Sequence, residues 1–177
     1  PIFFETVAML RQHHPKLQVL VPCLHERMKT YLSSFVGDLP ITLVDAPQGA
    51  SEVLTASDVA LVVSGTATLE TALCHTPMII AYQMHPISWW LMTKMATTIW
   101  AGLPNILANA SIVPEYLQSD MTAEVLAPAL SNLLKNAQAK QAQLTWFDQL
   151  HRQLQSNTAE TAVTTLLHWW QDDVFSR

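Results

Sequence analysis

Apolar positions recur with two different periods along this chain, and the change from one to the other sets its organisation. Over residues 2–13 they return at helical spacing through Ile2, Phe3, Val7 and Leu10, with Thr6 on the same side, and Pro15 stops the run. Residues 17–21 form a short apolar run suited to a buried strand, which Pro22 closes. Helical spacing resumes over 25–35, with Met28, Tyr31, Leu32 and Phe35 on one side. Residues 41–44 then read as a second strand before the turn-like Asp45-Ala-Pro-Gln-Gly49. A short helix over 51–56 leads into 58–63. There Val59, Ala60, Leu61, Val62 and Val63 are continuous rather than alternating, as expected of a central parallel strand covered on both faces. Residues 64–66 turn the chain into a helix over 67–74. A strand at 78–81 and a helix at 87–95 follow. Strands alternating with helices at this spacing predict an α/β fold with a Rossmann-like parallel sheet and right-handed crossovers.

After Asn109 the alternation gives way to helical periodicity alone, over 122–136, 139–155 and 158–170. Trp146, Leu150 and Leu154 form one apolar stripe, and Val163, Leu166, Leu167 and Trp170 another. The pattern therefore divides the chain into an α/β domain over 1–136 and a tail of helices over 137–177. The stripes pack on that domain or dock on a further domain or a second subunit. Proline is favoured at the first helical position, so a chain that opens at Pro1 directly on a helix, without an initiator Met, reads as a fragment of something longer.

Composition narrows the classes. Half of the 177 residues are apolar and 13% are charged, which fits a packed domain and not a disordered tail. No apolar run approaches the roughly 20 residues that span a bilayer. A formal charge of -5 speaks against a nucleic-acid partner, since phosphate backbones select basic faces. Cys23 and Cys74 belong to no Cys-x-x-Cys pair and read as reduced core thiols. The seven histidines show no ligand spacing, so no metal is expected, nor any other cofactor. With four glycines in all, neither a P-loop nor a GxGxxG turn is present.

The stretch Ser64-Gly-Thr-Ala-Thr-Leu-Glu70 lies between a predicted buried strand and a helix. In a doubly wound sheet such turns sit at the carboxyl ends of strands, where ligands bind. Gly65 allows close approach of backbone to ligand. Thr66 suits a helix cap whose neighbours' free N–H groups face an anion. Glu70 follows one turn later on the same face, where a carboxylate can accept from both hydroxyls of a ribose. Phosphate donors and a sugar acceptor one turn apart suit a nucleoside diphosphate, although an ordinary capped helix with a surface Glu has the same spacing. His85-Pro-Ile-Ser-Trp-Trp-Leu-Met92 is dense in apolar groups. Trp89 and Trp90 are either core residues or candidate contacts for acyl chains or a membrane interface.

Taken together with Pro77-Met-Ile-Ile-Ala-Tyr82, Trp90-Leu91, Gly102-Leu-Pro-Asn-Ile-Leu107 and Val113-Pro-Glu-Tyr-Leu-Gln118, this stretch resembles the carboxyl half of the lipid-A-disaccharide synthase family. The blocks stand in family order over about residues 54–134. The resemblance implies a two-domain, metal-independent, inverting glycosyltransferase of the GT-B class (family 19), cytoplasmic and peripheral to the inner membrane. It implies transfer of 2,3-diacylglucosamine from UDP-2,3-diacylglucosamine to 2,3-diacylglucosamine 1-phosphate, in lipid A and lipopolysaccharide synthesis. Carried over by position, Ser64, Gly65, Thr66, Ala67 and Thr68 would cradle the diphosphate, Glu70 would bind the ribose and Asn105 would line the donor site. Glu115 and Gln118 match a later block without an assigned role. The family's Gly-Ser-Arg loop, whose arginine faces the donor phosphates, would precede Pro1. So would the acceptor domain with its catalytic carboxylate, so this segment alone is expected to bind donor weakly and not to turn over. Exchange of carboxyl-terminal helices in a homodimer is a further implication. Competing readings are another UDP-sugar enzyme, such as a cell-wall UDP-GlcNAc transferase or a 2-epimerase, and a non-catalytic assembly module.

Overall fold

The computed structural model describes residues 1–95, 98–155 and 163–167. The elements run α1 (Ile2–His13), β1 (Val19–Cys23), α2 (Glu26–Val36), β2 (Ile41–Asp45), α3 (Ser51–Thr55), β3 (Ala60–Val63) and α4 (Thr66–Leu73). They continue through β4 (Met78–Tyr82), α5 (Pro86–Met95), α6 (Leu103–Ala108), β5 (Glu115–Leu117), a 3-10 turn (Gln118–Asp120), α7 (Ala123–Lys135) and α8 (Ala137–Leu154). Every strand pairing is parallel, so the fold is α/β and Rossmann-like with additional helices. The strands form two ladders, β1-β2 and β3-β4-β5, where the sequence pattern predicts one sheet.

Strand β4 is the centre. Met78, Ile79, Ile80 and Ala81 have no exposed surface. Because successive side chains of a strand point to opposite faces, Ile79 and Ala81 join Leu10 of α1 and Leu126, Ala127, Leu130 and Leu133 of α7 in one core. Met78 and Ile80 join Val62, Ala72 of α4, Val113, and Phe147 and Leu150 of α8 in the other. The continuous run at 58–63 predicts a central strand covered on both faces. The coverage is there, with Leu61 packed on one core and Ala60 and Val62 on the other, but among the described residues β3 pairs with β4 alone, and Val63 at its end is 46% exposed.

Other departures have local causes. Strand β1 runs through Pro22, which pairs with Val44, rather than ending before it. It can do so because β1 pairs on one side only, and a missing N–H is harmless on an unpaired edge. Pro1 caps α1 instead of occupying its first turn, and His25 caps α2, its Nδ1 accepting from Met28 N at 3.1 Å. Residues 103–108 and 115–117, left unassigned by the apolar pattern, form α6 and β5. Neither run is long enough to display a period.

Helix α8, assigned from the sequence to the tail, packs on the sheet. Of the predicted stripe, Leu150 is buried and Trp146 packs half-buried on the same core, while Leu154 is 42% exposed; Gln143 and Phe147 complete the buried face. Gln143 Oε1 accepts from Met78 N at 2.8 Å and its Nε2 donates to Met78 O at 3.0 Å. Beyond α8, residues 163–167 are helical with Val163, Leu166 and Leu167 exposed. Trp170 and the rest of the predicted helix over 158–170 lie outside the described residues. Both cysteines are free, Cys23 buried and Cys74 half-buried. Among the described residues no helix is long and apolar enough to cross a membrane.

Candidate functional site

Parallel pairing brings the carboxyl ends of β3, β4 and β5 to one edge, so the segments that follow them are neighbours. After β3 comes Ser64-Gly65 and the start of α4. Thr66 is the first helical residue and Gly65 takes the cap position, at φ 138° and ψ -163°, a backbone conformation that favours glycine. This corrects the reading of Thr66 as the cap. An added Cβ at Gly65 would meet nothing within 4 Å, so the space over the turn is open. Gly65, Thr66 and Ala67 are all exposed. The first N–H groups of a helix have no partner within it. Thr68 N nevertheless donates to Gly65 O at 3.1 Å, so it is the N–H groups of exposed Thr66 and Ala67, with the positive end of the helix dipole, that are left toward that space.

Thr68 differs from its neighbours. It is fully buried, its hydroxyl donating to Gly65 O at 2.7 Å and accepting from Leu103 N at 3.3 Å. Ser64 is half-buried and its hydroxyl donates to Ala101 O at 2.6 Å. These two hydroxyls join the start of α4 to the turn before α6.

Glu70 is half-buried one turn into α4. Its Oε1 accepts from Ala50 N at 3.2 Å, which brings the loop after β2 to the same place. Gly49 in that loop has φ 122°, and a Cβ there would lie 3.4 Å from Glu70 Oε1. Oε2 meets no hydrogen-bond donor among the described residues, which leaves it open to a ligand's hydroxyls.

Asn105 has no exposed surface. Its Oδ1 accepts from Ile112 N at 2.9 Å and Val113 N at 2.8 Å. Its Nδ2 donates at 2.7 Å to both Val113 O and Glu115 Oε1. The side chain thus lies beneath the edge rather than on it. Glu115, at the start of β5, also accepts from Ala101 N at 2.8 Å and from Gly102 N at 2.9 Å. Gln118 opens the 3-10 turn directly after β5, at φ 51°. Its Oε1 accepts from Met84 N at 2.8 Å and its Nε2 donates to Met84 O at 3.2 Å, which holds the segment leading into α5. On α5 Trp89 is half-buried. Trp90 is 62% exposed, next to exposed Ile87, Leu91 and Met92.

Sequence reasoning missed the structural parts played by Gly102, Glu115 and Gln118 in this arrangement. A glycine followed by Leu-Pro is itself a helix-start signal that would have located α6. The long-range partners of Glu115 and Gln118 carry no such local mark. None of the residues named at this edge is Lys or Arg, so the donors it offers an anion are backbone N–H groups at the start of α4. Among the described residues no three His, Cys, Asp or Glu side chains are placed to hold a metal ion.

The model of the family described as lipid-A-disaccharide synthetase matches residues 1–166. The chain belongs to that family. It is 36% identical over 172 residues to a lipid-A-disaccharide synthase of Hydrogenovibrio crunogenus, covering 95% of this chain and 45% of that protein. It is 38% identical over 169 residues to the Pectobacterium carotovorum synthase (93% and 44%). Over 170 residues it is 40% identical to that of Aromatoleum aromaticum (93% and 43%). The chain therefore spans somewhat under half the length of these curated relatives.

Proposed function

We propose that this chain holds the nucleotide end of UDP-2,3-diacylglucosamine. In this reading it is part of a lipid-A-disaccharide synthase, a hexosyltransferase that passes the diacylated sugar to 2,3-diacylglucosamine 1-phosphate and releases UDP. One observation carries the reading: the open turn at Gly65, with helix N–H donors on one side and the Glu70 carboxylate one turn away. Membership of the family supports it.

The diphosphate rests over Gly65, Thr66 and Ala67. Ser64 and Thr68 hold the turn from beneath, and Glu70 accepts from the ribose hydroxyls through its second oxygen. Asn105 acts from below. As the sugar–phosphate bond breaks, negative charge grows on the departing diphosphate, and the fixed N–H dipoles at the start of α4 stabilise it. Stabilisation by fixed backbone dipoles requires no metal. Attack from the opposite face inverts the sugar carbon. The base that deprotonates the acceptor hydroxyl, and the acceptor surface, belong to a second domain, so this chain alone does not turn over.

The exposed face of α5 around Trp90, with Trp89 at its margin, receives acyl chains at a cytoplasmic membrane surface. The exposed residues at 163–167 serve helix exchange in a homodimer.

The test is calorimetric titration of UDP into this chain, and into the chain joined to an amino-terminal half from a relative, with Glu70→Ala beside each. The joined protein is expected to bind UDP, and Glu70→Ala to weaken that binding at least tenfold. A folded joined protein that ignores UDP overturns the proposal.

A further inference from the structure

The carboxylate of Glu115 receives three N–H donors, from Ala101, Gly102 and the Asn105 side chain, at 2.7–2.9 Å. Two of these donors belong to the turn at Ala101-Gly102. That turn is the one whose Ala101 O and Leu103 N meet Ser64 and Thr68 at the start of α4. A continuous path of hydrogen bonds therefore runs from β5, through Glu115, across the turn, to the residues beside Gly65.

Packing holds the turn from the other side. Gly102 is buried, and a Cβ there would come within 2.3 Å of Ile80 Cδ1 and 3.1 Å of Glu115 Oε1. A larger residue here would have to displace the Ile80 side-chain end and crowd the Glu115 carboxylate, so the turn is pressed between the central strand and that carboxylate. Asn105 bridges Glu115 to the backbone at 112–113, so the latch is anchored at both ends.

From this geometry we infer that Glu115 is a positioning residue for the anion-binding turn: it latches the Ala101-Gly102 segment and thereby sets the start of α4, without touching a ligand. The inference rests on the donor-site reading above. Its experiment separates the two by measuring the turn itself as well as binding.

Amide hydrogen exchange is followed in the full 177-residue chain at Ala101, Gly102 and Leu103, with Ile79 and Ala81 of β4 as internal references. Glu115→Gln matches the native side chain in size but sets an NH2 group against N–H donors. It is expected to speed exchange at the three turn amides at least tenfold and to leave the β4 amides unchanged. In the chain joined to an amino-terminal half, the same variant is expected to weaken UDP about tenfold.

Gly102→Ala displaces the turn with Glu115 intact and should weaken UDP similarly. Adding Ile80→Val removes the obstructing Cδ1 and should restore most of the affinity, which a general loss of stability would not do. This pair also tests the inference should Glu115→Gln fail to fold. Unchanged exchange at the turn in Glu115→Gln overturns the latch. A loosened turn with UDP affinity within twofold of the parent overturns the positioning role. A parent protein that ignores UDP, while the turn still loosens in the variant, marks the donor reading as the part that failed and removes the role with it.

Discussion

Replacing Gln143 by Leu removes one side-chain amide of α8 and should cost more than most single substitutions in this chain. Strand β5 pairs with β4 only from Ile80 onward, so it stops short of Met78. The N–H and C=O of Met78 on that side are taken by Gln143, at 2.8 and 3.0 Å, in the place a strand residue would otherwise fill. Met78 has no exposed surface and Gln143 is 3% exposed, so water does not replace the lost partner. Leaving a buried backbone donor or acceptor unpaired costs about 1–3 kcal/mol. Two such groups give roughly 2–6 kcal/mol, and partial relaxation of α8 brings the expectation to about 3 kcal/mol. Leu fills most of the volume, so a cavity contributes little. Glu at this position keeps the acceptor for Met78 N but turns a charge towards Met78 O. Burial then raises the variant's carboxyl pKa, so its stability is greatest at low pH, where a protonated Glu donates to that carbonyl, and is lost as pH rises through the folded-state pKa. Urea unfolding of the parent and both variants at pH 5 and pH 8 measures each difference. A Gln143→Leu protein within 0.5 kcal/mol of the parent, or a Gln143→Glu protein whose deficit ignores pH, would refute the argument.

Three further substitutions read other parts of the fold. Glu70→Ala removes a hydrogen bond to a half-buried loop and should cost under about 1 kcal/mol in urea unfolding; a larger loss would make Glu70 a structural residue and not a reserved acceptor. Trp90→Ser on exposed α5 should leave thermal unfolding within about 0.5 kcal/mol of the parent, while reducing flotation with vesicles of anionic lipid; unchanged flotation counts against the acyl-facing role. The Tyr116 phenol is pushed above its ordinary value by burial, so its contribution is complete below about pH 10 and is lost as pH rises through the folded-state value. Cys23, raised first by burial, and Lys29, raised first by its hydrogen bond to Asp45, act in the same direction. Tyr116→Phe should therefore show a shallower fall in urea midpoint between pH 8 and pH 10.5, and a fall equal to the parent's would exclude Tyr116 as a source.

The elements readable from sequence were those long enough to show a period. Helix α1 was predicted at its observed limits, and β4, α7 and α8 within two residues at either end, because each presents a sustained apolar face or run. What local pattern cannot report is which strand ends up in the middle. The runs at 58–63 and 78–81 look alike, yet β4 has partners on both sides and helices on both faces, whereas β3 has an open edge. The same limit explains α8, where Leu150 and Trp146 meet the core as the apolar pattern predicts, but the pattern gives no sign that polar Gln143 is buried to pair both the N–H and the C=O of Met78.

The candidate site shows where motif reading stops for a physical reason. Ser64-Gly-Thr-Ala-Thr-Leu-Glu70 identifies a strand-to-helix turn from local chemistry alone, and the turn is there, one residue out in its cap. Its polar groups nevertheless divide between two roles that spacing does not distinguish. Gly65, Thr66 and Ala67 face open space, while Thr68 is turned inward to meet Leu103, 35 residues further along the chain. Asn105 is divided from the surface in the same way by its bonds to residues 112–115. A residue at the right place in a motif can thus serve a ligand only by holding the groups that touch it. Substitutions at Thr68 and Asn105 should accordingly change affinity and stability together, since each leaves a buried partner unpaired. At Glu70, with one carboxylate oxygen bound to the loop and the other without a partner among the described residues, the two effects should separate.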